Sequence, residues 1–292
     1  MLKPIREWTV RDIIRLRPLT HRYKAARSAL VDRRFLARTG DEAEVAAMRA
    51  AVAGKNAAIT MAFQDAEVID WQIRLVRKYL PPLVHVIVDN SPGDAEAAAI
   101  RDAAARNGSP YLRLPPNPWT GVHASRSHGQ AMNWIWRHVL KPAAPAAFGF
   151  LDHDIFPTAP DDPFGGLAGL PFHGDIRNRE GGGEGWYLWA GYCFFDFAQV
   201  QDKRLDFGPH WLVGLDTGGG NWVPLYRHFD RARLPVRPVR DLQAFDDVSQ
   251  REAYYGWHGT WLHEVGIGGG RAFQRRKREM TARLLAAHLG GG

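Results

Sequence analysis

The stretch Leu151-Asp152-His153-Asp154-Ile155-Phe156-Pro157 places two carboxylates two residues apart, directly after the apolar run Ala147–Leu151 (AFGFL). In an extended chain such positions point the same way. A lone carboxylate is costly to bury, and two together repel unless a cation neutralises them. Hard divalent cations such as Mg²⁺ or Mn²⁺ take oxygen ligands and commonly bridge phosphates. An ion of that kind stabilises the charge that develops on a diphosphate leaving group. Asp152 and Asp154 are therefore candidate metal ligands. An Asp-x-Asp pair also occurs as ordinary loop or capping residues, so its weight depends on the elements around it.

Those elements alternate. Ala57–Phe63 (AAITMAF) has strand character, and Glu67–Leu80 carries Val68, Ile69, Ile73, Val76 and Leu80 at helical spacing. Leu83–Val88 (LVHVIV) reads as a buried strand, and the turn Asn90-Ser91-Pro92-Gly93-Asp94 can cap an alanine-rich helix ending near Gly108. Tyr111–Leu114 is a third strand, a helix runs from about Ser125 to Val139, and Ala147–Leu151 is a fourth strand leading into Asp152. Strands of the buried type alternating with helices imply a mostly parallel sheet with helices on its faces. Ligands of such sheets bind beyond the carboxyl ends of the strands. Gln64-Asp65, Asp89-Asn90-Ser91, Pro115–Trp119 and Asp152-His153-Asp154 occupy those ends.

Before this alternation, Asp41 to Ala53 reads as a helix capped by Asp41 and stopped at Gly54, and residues 1–38 read as basic helix with breaks at Pro4 and Pro18. After residue 160 the chain is richer in Gly and Trp; Gly185–Phe195 and Trp222–Leu225 are candidate strands, and the glycine runs 181–183 and 218–220 candidate loops. Arg271–His288 reads as a basic terminal helix. The division expected is a basic helical extension (1–54), one α/β domain (55–270), and a basic helix with a disordered tail (271–292).

Four segments together resemble the glycosyltransferases of the GT-A fold, family 2 above all: Ile59–Phe63, Val86-Ile87-Val88-Asp89-Asn90-Ser91, Ser127-His128-Gly129-Gln130-Ala131-Met132-Asn133, and Phe148–Asp154. The resemblance covers residues 56–160 well and 185–270 loosely. It implies a Rossmann-like sheet, a nucleotide-sugar donor (UDP-, GDP- or dTDP-linked), a saccharide or lipid-linked acceptor, a Mn or Mg cofactor and inversion at the anomeric carbon, in cell-envelope or surface polysaccharide synthesis. By the same resemblance the Asp89/Asn90 turn lies against base and ribose, with Asn90 standing where many relatives carry a second Asp. His128 and Asn133 lie near diphosphate and sugar, Asp152 near ribose or sugar hydroxyls, and Asp154 ligates the metal. A late histidine, His258 or His263, supplies a third ligand; His263 is preferred because the glycine-rich turn 266–270 follows it. An inverting transferase needs a carboxylate to take the acceptor's proton. Asp216, between Leu215 and Thr217-Gly218-Gly219, is the candidate; Asp206 and Glu184 are its rivals. Trp186, Trp189, Trp211, Trp222, Trp257 and Trp261 are either sugar-stacking faces or core.

Charge is unevenly placed in this chain of net +7: residues 1–38 carry +8, residues 271–283 carry +5, and the remainder −6. Basic ends on an acidic centre suggest an anionic membrane surface, an acidic polymer or nucleic acid as partner, or are simply two solvated surface helices; a peripheral membrane contact is the expectation, and nucleic acid is not expected. A single cysteine, Cys193, excludes a disulfide framework, and the first residues lack the apolar region of a secretory signal. A cytoplasmic location, peripheral at the inner face of a membrane, is the expectation. The sequence lacks the His-x-His or His-Glu-x-x-His clusters of a zinc hydrolase, and Gln64-Asp65-Ala66-Glu67 is acidic where a nucleotidyltransferase needs a basic glycine-rich loop. A non-catalytic module of the same fold, holding an anionic polymer, is the remaining alternative.

Overall fold

The computed structural model describes residues 9–14, 17–179, 184–211, 213–245, 252–265 and 271–290. The glycine runs at 181–183 and 266–270, the break at Pro4 and the last two residues lie outside them.

Four segments form a parallel sheet, and the three longer ones are buried on both faces. They are β1 (Asn56–Ala62), β2 (Val84–Asp89), β3 (Tyr111–Arg113) and β4 (Ala147–Asp152), and β1 is the central one. The register sets Ala62 beside Asp89 and Met61 beside Asp152, so the carboxyl ends of β1, β2 and β4 meet at one edge. After β5 (Ile155–Pro157), β6 (Phe172–Asn178) and β7 (Trp186–Asp196) complete a six-stranded sheet, with β7 antiparallel to both β4 and β6.

The period of two along β1 divides the core. Ala57, Ile59 and Met61 join one apolar cluster with Val45, Met48 and Val52 of α3 (Glu42–Val52) and with Ala131, Met132, Trp134 and Ile135 of α6 (Ala124–Ile135). Ala58 and Ala62 face the other side, where α4 (Ala66–Tyr79) and α5 (Asp94–Arg106) supply Ile69, Ile73, Val76, Ile100 and Ala103. The result is a three-layer α/β/α arrangement. Burial of each of the Val, Ile and Met side chains stabilises the fold by about 1.5–3 kcal/mol. The caps are local: the Asp41 side chain accepts from Glu44 N–H at 2.9 Å and the Asp65 side chain from Val68 N–H at 3.2 Å.

α6 continues through a π-helical turn (Trp136–Leu140) into the short α7 (Lys141–Ala143), and α8 (Phe197–Val200) follows β7. A second, antiparallel sheet of order β5-β10-β9-β8 joins β5 to β8 (Val239–Phe245), β9 (Glu252–His258) and β10 (Trp261–Val265). The C-terminal α9 (Arg271–Leu289) closes over it, with Leu285 against Val68, Trp71 and Leu75 of α4. At the other end lie α1 (Val10–Ile14) and α2 (Arg17–Leu36). Pro18 falls in the first turn of α2, where its missing N–H is not needed. Trp222–Leu225 is not a strand: Gly219–Trp222 forms a 3-10 turn after Gly218 at φ +93°, and Trp222 packs edge-on against Trp186. No helix among the described residues is long and apolar enough to cross a membrane.

Candidate active site

Asp152 ends β4, Asp154 follows in the turn before β5, and His263 lies on β10, where it pairs in register with Ile155. One ligand atom from each of Asp152, Asp154 and His263 falls within 4.8 Å of the others. His263 Nε2 is 3.4 Å from Asp154 Oδ1, and Glu264 N–H donates to the Asp154 carbonyl at 2.9 Å. Burial by itself tends to raise the pKa of the Asp154 carboxyl. The field of His153 and His263, the His263 hydrogen bond and Lys277 outweigh it, holding the group ionised well below the usual carboxylate range. Two carboxylate oxygens and an imidazole nitrogen fit a Mn²⁺ or Mg²⁺ ion that keeps positions open for phosphate oxygens.

The backbone of this turn is held from behind. Gln72, buried in the apolar face of α4, donates to the carbonyls of Asp152 at 2.6 Å and Ile155 at 2.8 Å. Both amide hydrogens are thereby engaged, so Gln72 Oε1 accepts from the Thr60 hydroxyl at 2.6 Å. Thr60 Oγ1 in turn lies 2.8 Å from His85 Nε2, which must be the donor. Burial, with the nearby Arg77 charge, lowers the His85 pKa to about 3, which fits this neutral tautomer.

On the open side, a cleft of about 500 Å³ lies at the carboxyl edge of the sheet. Met61 to Phe63, Asn90, the loop Thr120–Ser125, Ser127 and His128 of α6, Asp152 to Asp154, Tyr187, Trp189, Ala190 and Asp216-Thr217 surround it. His128 Nδ1 is 3.3 Å from Asp152 Oδ1, while its buried Nε2 has no partner. The N-terminal turn of α6 presents its positive dipole end to the same space. The Trp189 ring lies 4.5 Å from that of His263. β7 passes close because position 191 has no side chain: a Cβ there would sit 2.4 Å from Asp152 Oδ2.

The structure brings Asp152, Asp154, His128, Asn90 and Asp216 to one cleft, with the buried His263 beside the two aspartates. Asp216 is exposed in a turn closed by Gly219 N–H to the Asp216 carbonyl at 2.7 Å, and Thr217 ties the turn to the Ser125 carbonyl at 2.9 Å. Asn90 links Ser127 Oγ (3.0 Å) to Asn117 Nδ2 (3.1 Å), bracing the cleft wall.

Other candidates lie elsewhere. Asp89 is fully buried, accepting from Ser91 N–H and the Tyr111 hydroxyl at 2.8 Å each, so its carboxylate does not reach the cleft. Asn133 does not line the cleft; it donates to Asp206 at 2.7 Å and accepts from Phe207 N–H at 2.8 Å. Asp206 accepts from Asn133 and from Gly208 N–H at 2.8 Å, away from the cleft, and Glu184 is absent from its lining too. His258 bonds through Nδ1 to the buried Asp175, which also meets Arg237 Nε at 3.3 Å, and its ring stacks on Trp189. Of the six tryptophans, Trp189 lines the cleft, whereas Trp186 and Trp261 are buried. Gln72 and Asn117 were not singled out by sequence reading. The one signal for Gln72 is an amide in the apolar register Val68, Ile69, Gln72, Ile73, Val76.

No protein-family model matches the sequence, and no curated protein matches it. Among solved structures the chain is similar to S. aureus TarS, at 14% identity and a TM-score of 0.35, over 52% of this chain and 30% of that one. It is also similar to the mannosyltransferase PcManGT from Pyrobaculum calidifontis, solved in complex with GDP-Man and Mn²⁺. There the identity is 13% and the TM-score 0.40, over 70% of this chain and 60% of that one. The chain thus spans less than two thirds of either.

Proposed function

We propose that this chain is an inverting, metal-dependent glycosyltransferase that moves a sugar from a nucleotide-sugar donor to an acceptor hydroxyl. The observation that carries the reading is the convergence of Asp152, Asp154 and His263 at the carboxyl end of a parallel strand, in a cleft that also contains Asp216. Asp152, Asp154 and His263 would hold Mn²⁺ or Mg²⁺, which when bound supplies positive charge for the departing diphosphate. The α6 N-terminus adds donors for phosphate oxygens, and His128 Nδ1 holds Asp152 from beside it. Asn90 and Ser127 form the wall beside base and ribose, and the Trp189 face offers a platform for the sugar. Asp216, exposed in its turn at the cleft, takes the proton of the attacking hydroxyl. The acceptor is a saccharide or lipid-linked sugar of the cell envelope, met at the inner face of the membrane.

A panel of UDP-, GDP- and dTDP-linked sugars, each with Mn²⁺, tests this by thermal shift and by donor hydrolysis. One donor class is expected to raise the melting temperature and to be hydrolysed slowly without acceptor. A non-catalytic module that binds polymers would do neither.

A further inference from the structure

The two basic ends of the chain differ in structure. In α9, Lys277 is buried at 3.5 Å from Glu264, and Arg278 pairs with Asp65 at 2.6 Å and with Glu264 at 3.5 Å. Two of the six cations of residues 271–283 are therefore neutralised against the domain. At the N-terminal end, residues 22–27, 29 and 30 of α2 are all exposed, on every side of the helix. Residues 9–36 carry eight Lys/Arg and two Asp/Glu, a net of +6, and one of the two acids, Asp32, pairs with Arg126.

The same segment exposes Val10 (74%), Ile13 (58%), Ile14 (75%), Tyr23 (70%) and Leu30 (50%). These are five of the ten large apolar side chains exposed among the described residues, gathered within 21 positions. Val10, Ile13 and Ile14 share one face of α1 by their spacing of three and four. On α2 the stripe Tyr23, Arg27, Leu30, Arg34 follows the same rule, so apolar and basic groups alternate along one face. Helices gain most of their stability from packing an apolar face; α2 buries Phe35 of its C-terminal half against α6, while residues 22–27, 29 and 30 stay exposed.

We propose that α1 and the outer half of α2 dock on an anionic lipid bilayer. The apolar residues would enter the boundary between headgroups and acyl chains, while Arg11, Arg22, Lys24, Arg27 and Arg34 reach the headgroup phosphates. A second copy of the chain fits poorly, because it would set +6 against +6. A soluble polyanion would match the charge but leave Ile13 and Ile14 in water. The arm also sits where an acceptor would arrive. Asp32 accepts from Trp119 Nε1 at 2.7 Å and pairs with Arg126, so α2 is fixed to the two ends of the loop Thr120–Ser125 that lines the cleft. Val122 of that loop is 73% exposed. A bilayer against the arm therefore lies beside the cleft mouth. That last step rests on the proposed transferase reading; the docking itself does not.

The test is vesicle flotation of the full chain without donor or metal, using phosphatidylcholine vesicles with and without phosphatidylglycerol. Binding to the anionic vesicles at low salt is expected, falling at least about tenfold at molar salt, where the Debye length shrinks to about 3 Å. Ile13→Glu with Ile14→Glu, on an exposed helix where the fold is not at stake, should reduce partitioning about tenfold or more. Arg22→Glu with Arg27→Glu should do the same at low salt. Melting temperature and nucleotide-sugar binding, measured on the same samples, should not change in either variant. No salt-sensitive vesicle binding, or binding indifferent to both variants, overturns the proposal. Retention on heparin with no vesicle binding overturns it in favour of a polyanion site. Vesicle binding without any nucleotide-sugar binding keeps the docking surface and removes the transferase reading.

Discussion

Replacing Gly191 by alanine asks whether β7 leaves Asp152 free to act as a ligand only because it carries no side chain there. A Cβ at this position would lie 2.4 Å from Asp152 Oδ2 and 2.2 Å from Cζ2 of Trp189. Relaxed contacts need about 3.5 Å, so the carboxylate, the indole or both must move by about 1 Å. Metal–ligand distances hold to within about 0.2 Å, so a shift of that size takes Asp152 out of the set. Moving Trp189 would also disturb His263, whose ring it contacts at 4.5 Å. Loss of groups that orient ligands weakens metal binding by about 10- to 100-fold, and Gly191→Ala is expected in that range. The assay is calorimetric titration of Mn²⁺ into metal-stripped protein, with melting temperature in EDTA as the control for folding. A folded variant with wild-type Mn²⁺ affinity would refute the idea that Asp152 needs this space to bind metal.

Asp216→Asn keeps the shape of the turn and removes the base, so kcat should fall about 10²- to 10⁴-fold with donor affinity unchanged. Asp206→Asn should act mainly on stability through the Asn133 bond; a dead Asp206→Asn beside an active Asp216→Asn would reassign the base. Gln72→Leu leaves the carbonyls of Asp152 and Ile155 without their buried donor, at about 1–3 kcal/mol each. It should lower both urea stability and Mn²⁺ affinity; an effect on stability alone would show that Gln72 does not position the turn. His85 has its pKa lowered to about 3 by burial and by Arg77, below the ordinary value of 6.5. The unfolded chain therefore takes up this proton first, and stability present above pH 6.5 declines as pH falls toward 3, by up to about 1.4 kcal/mol per pH unit. His85→Gln keeps a donor for Thr60 and should flatten that slope in urea titrations between about pH 7 and pH 5; an unchanged slope would contradict the assignment.

The first half of the fold is legible because its signals are local. Ala57–Phe63, Leu83–Val88 and Ala147–Leu151 are apolar runs of strand length, and β1, β2 and β4 follow them within a residue or two at each end. Asp41 caps α3 through its own side chain, as its position before two glutamates suggests. The second half is harder. β8 reads Val-Arg-Asp-Leu-Gln-Ala-Phe, with no apolar run, and it becomes a strand by pairing with β9, a partner that no local pattern announces. Trp222–Leu225 has strand composition, but Gly218 and Gly219 turn the chain there and Trp186 captures the indole. In the site, the Asp-x-Asp motif is visible because β4 ends in it. The environment of Asn133 and Asp89 is not, because it depends on residues 73 and 22 positions away, Asp206 and Tyr111. The arrival of His263 rather than His258 at the aspartates is set by the β5–β10 register, which puts His263 opposite Ile155. Gln72 is hidden for the opposite reason: its sequence context is that of a core position.

The central claim is that Asp152, Asp154 and His263 hold a divalent cation that binds a nucleotide-sugar diphosphate. The most direct measurement is the affinity of the wild-type chain and of Asp154→Ala for UDP and GDP, each with Mn²⁺ and each with EDTA. Wild-type protein should bind one of the two nucleotides in Mn²⁺ and lose that binding in EDTA, and Asp154→Ala should behave in Mn²⁺ as the wild type does in EDTA. Nucleotide affinity that is the same with and without EDTA, or that survives Asp154→Ala in Mn²⁺, would contradict the account.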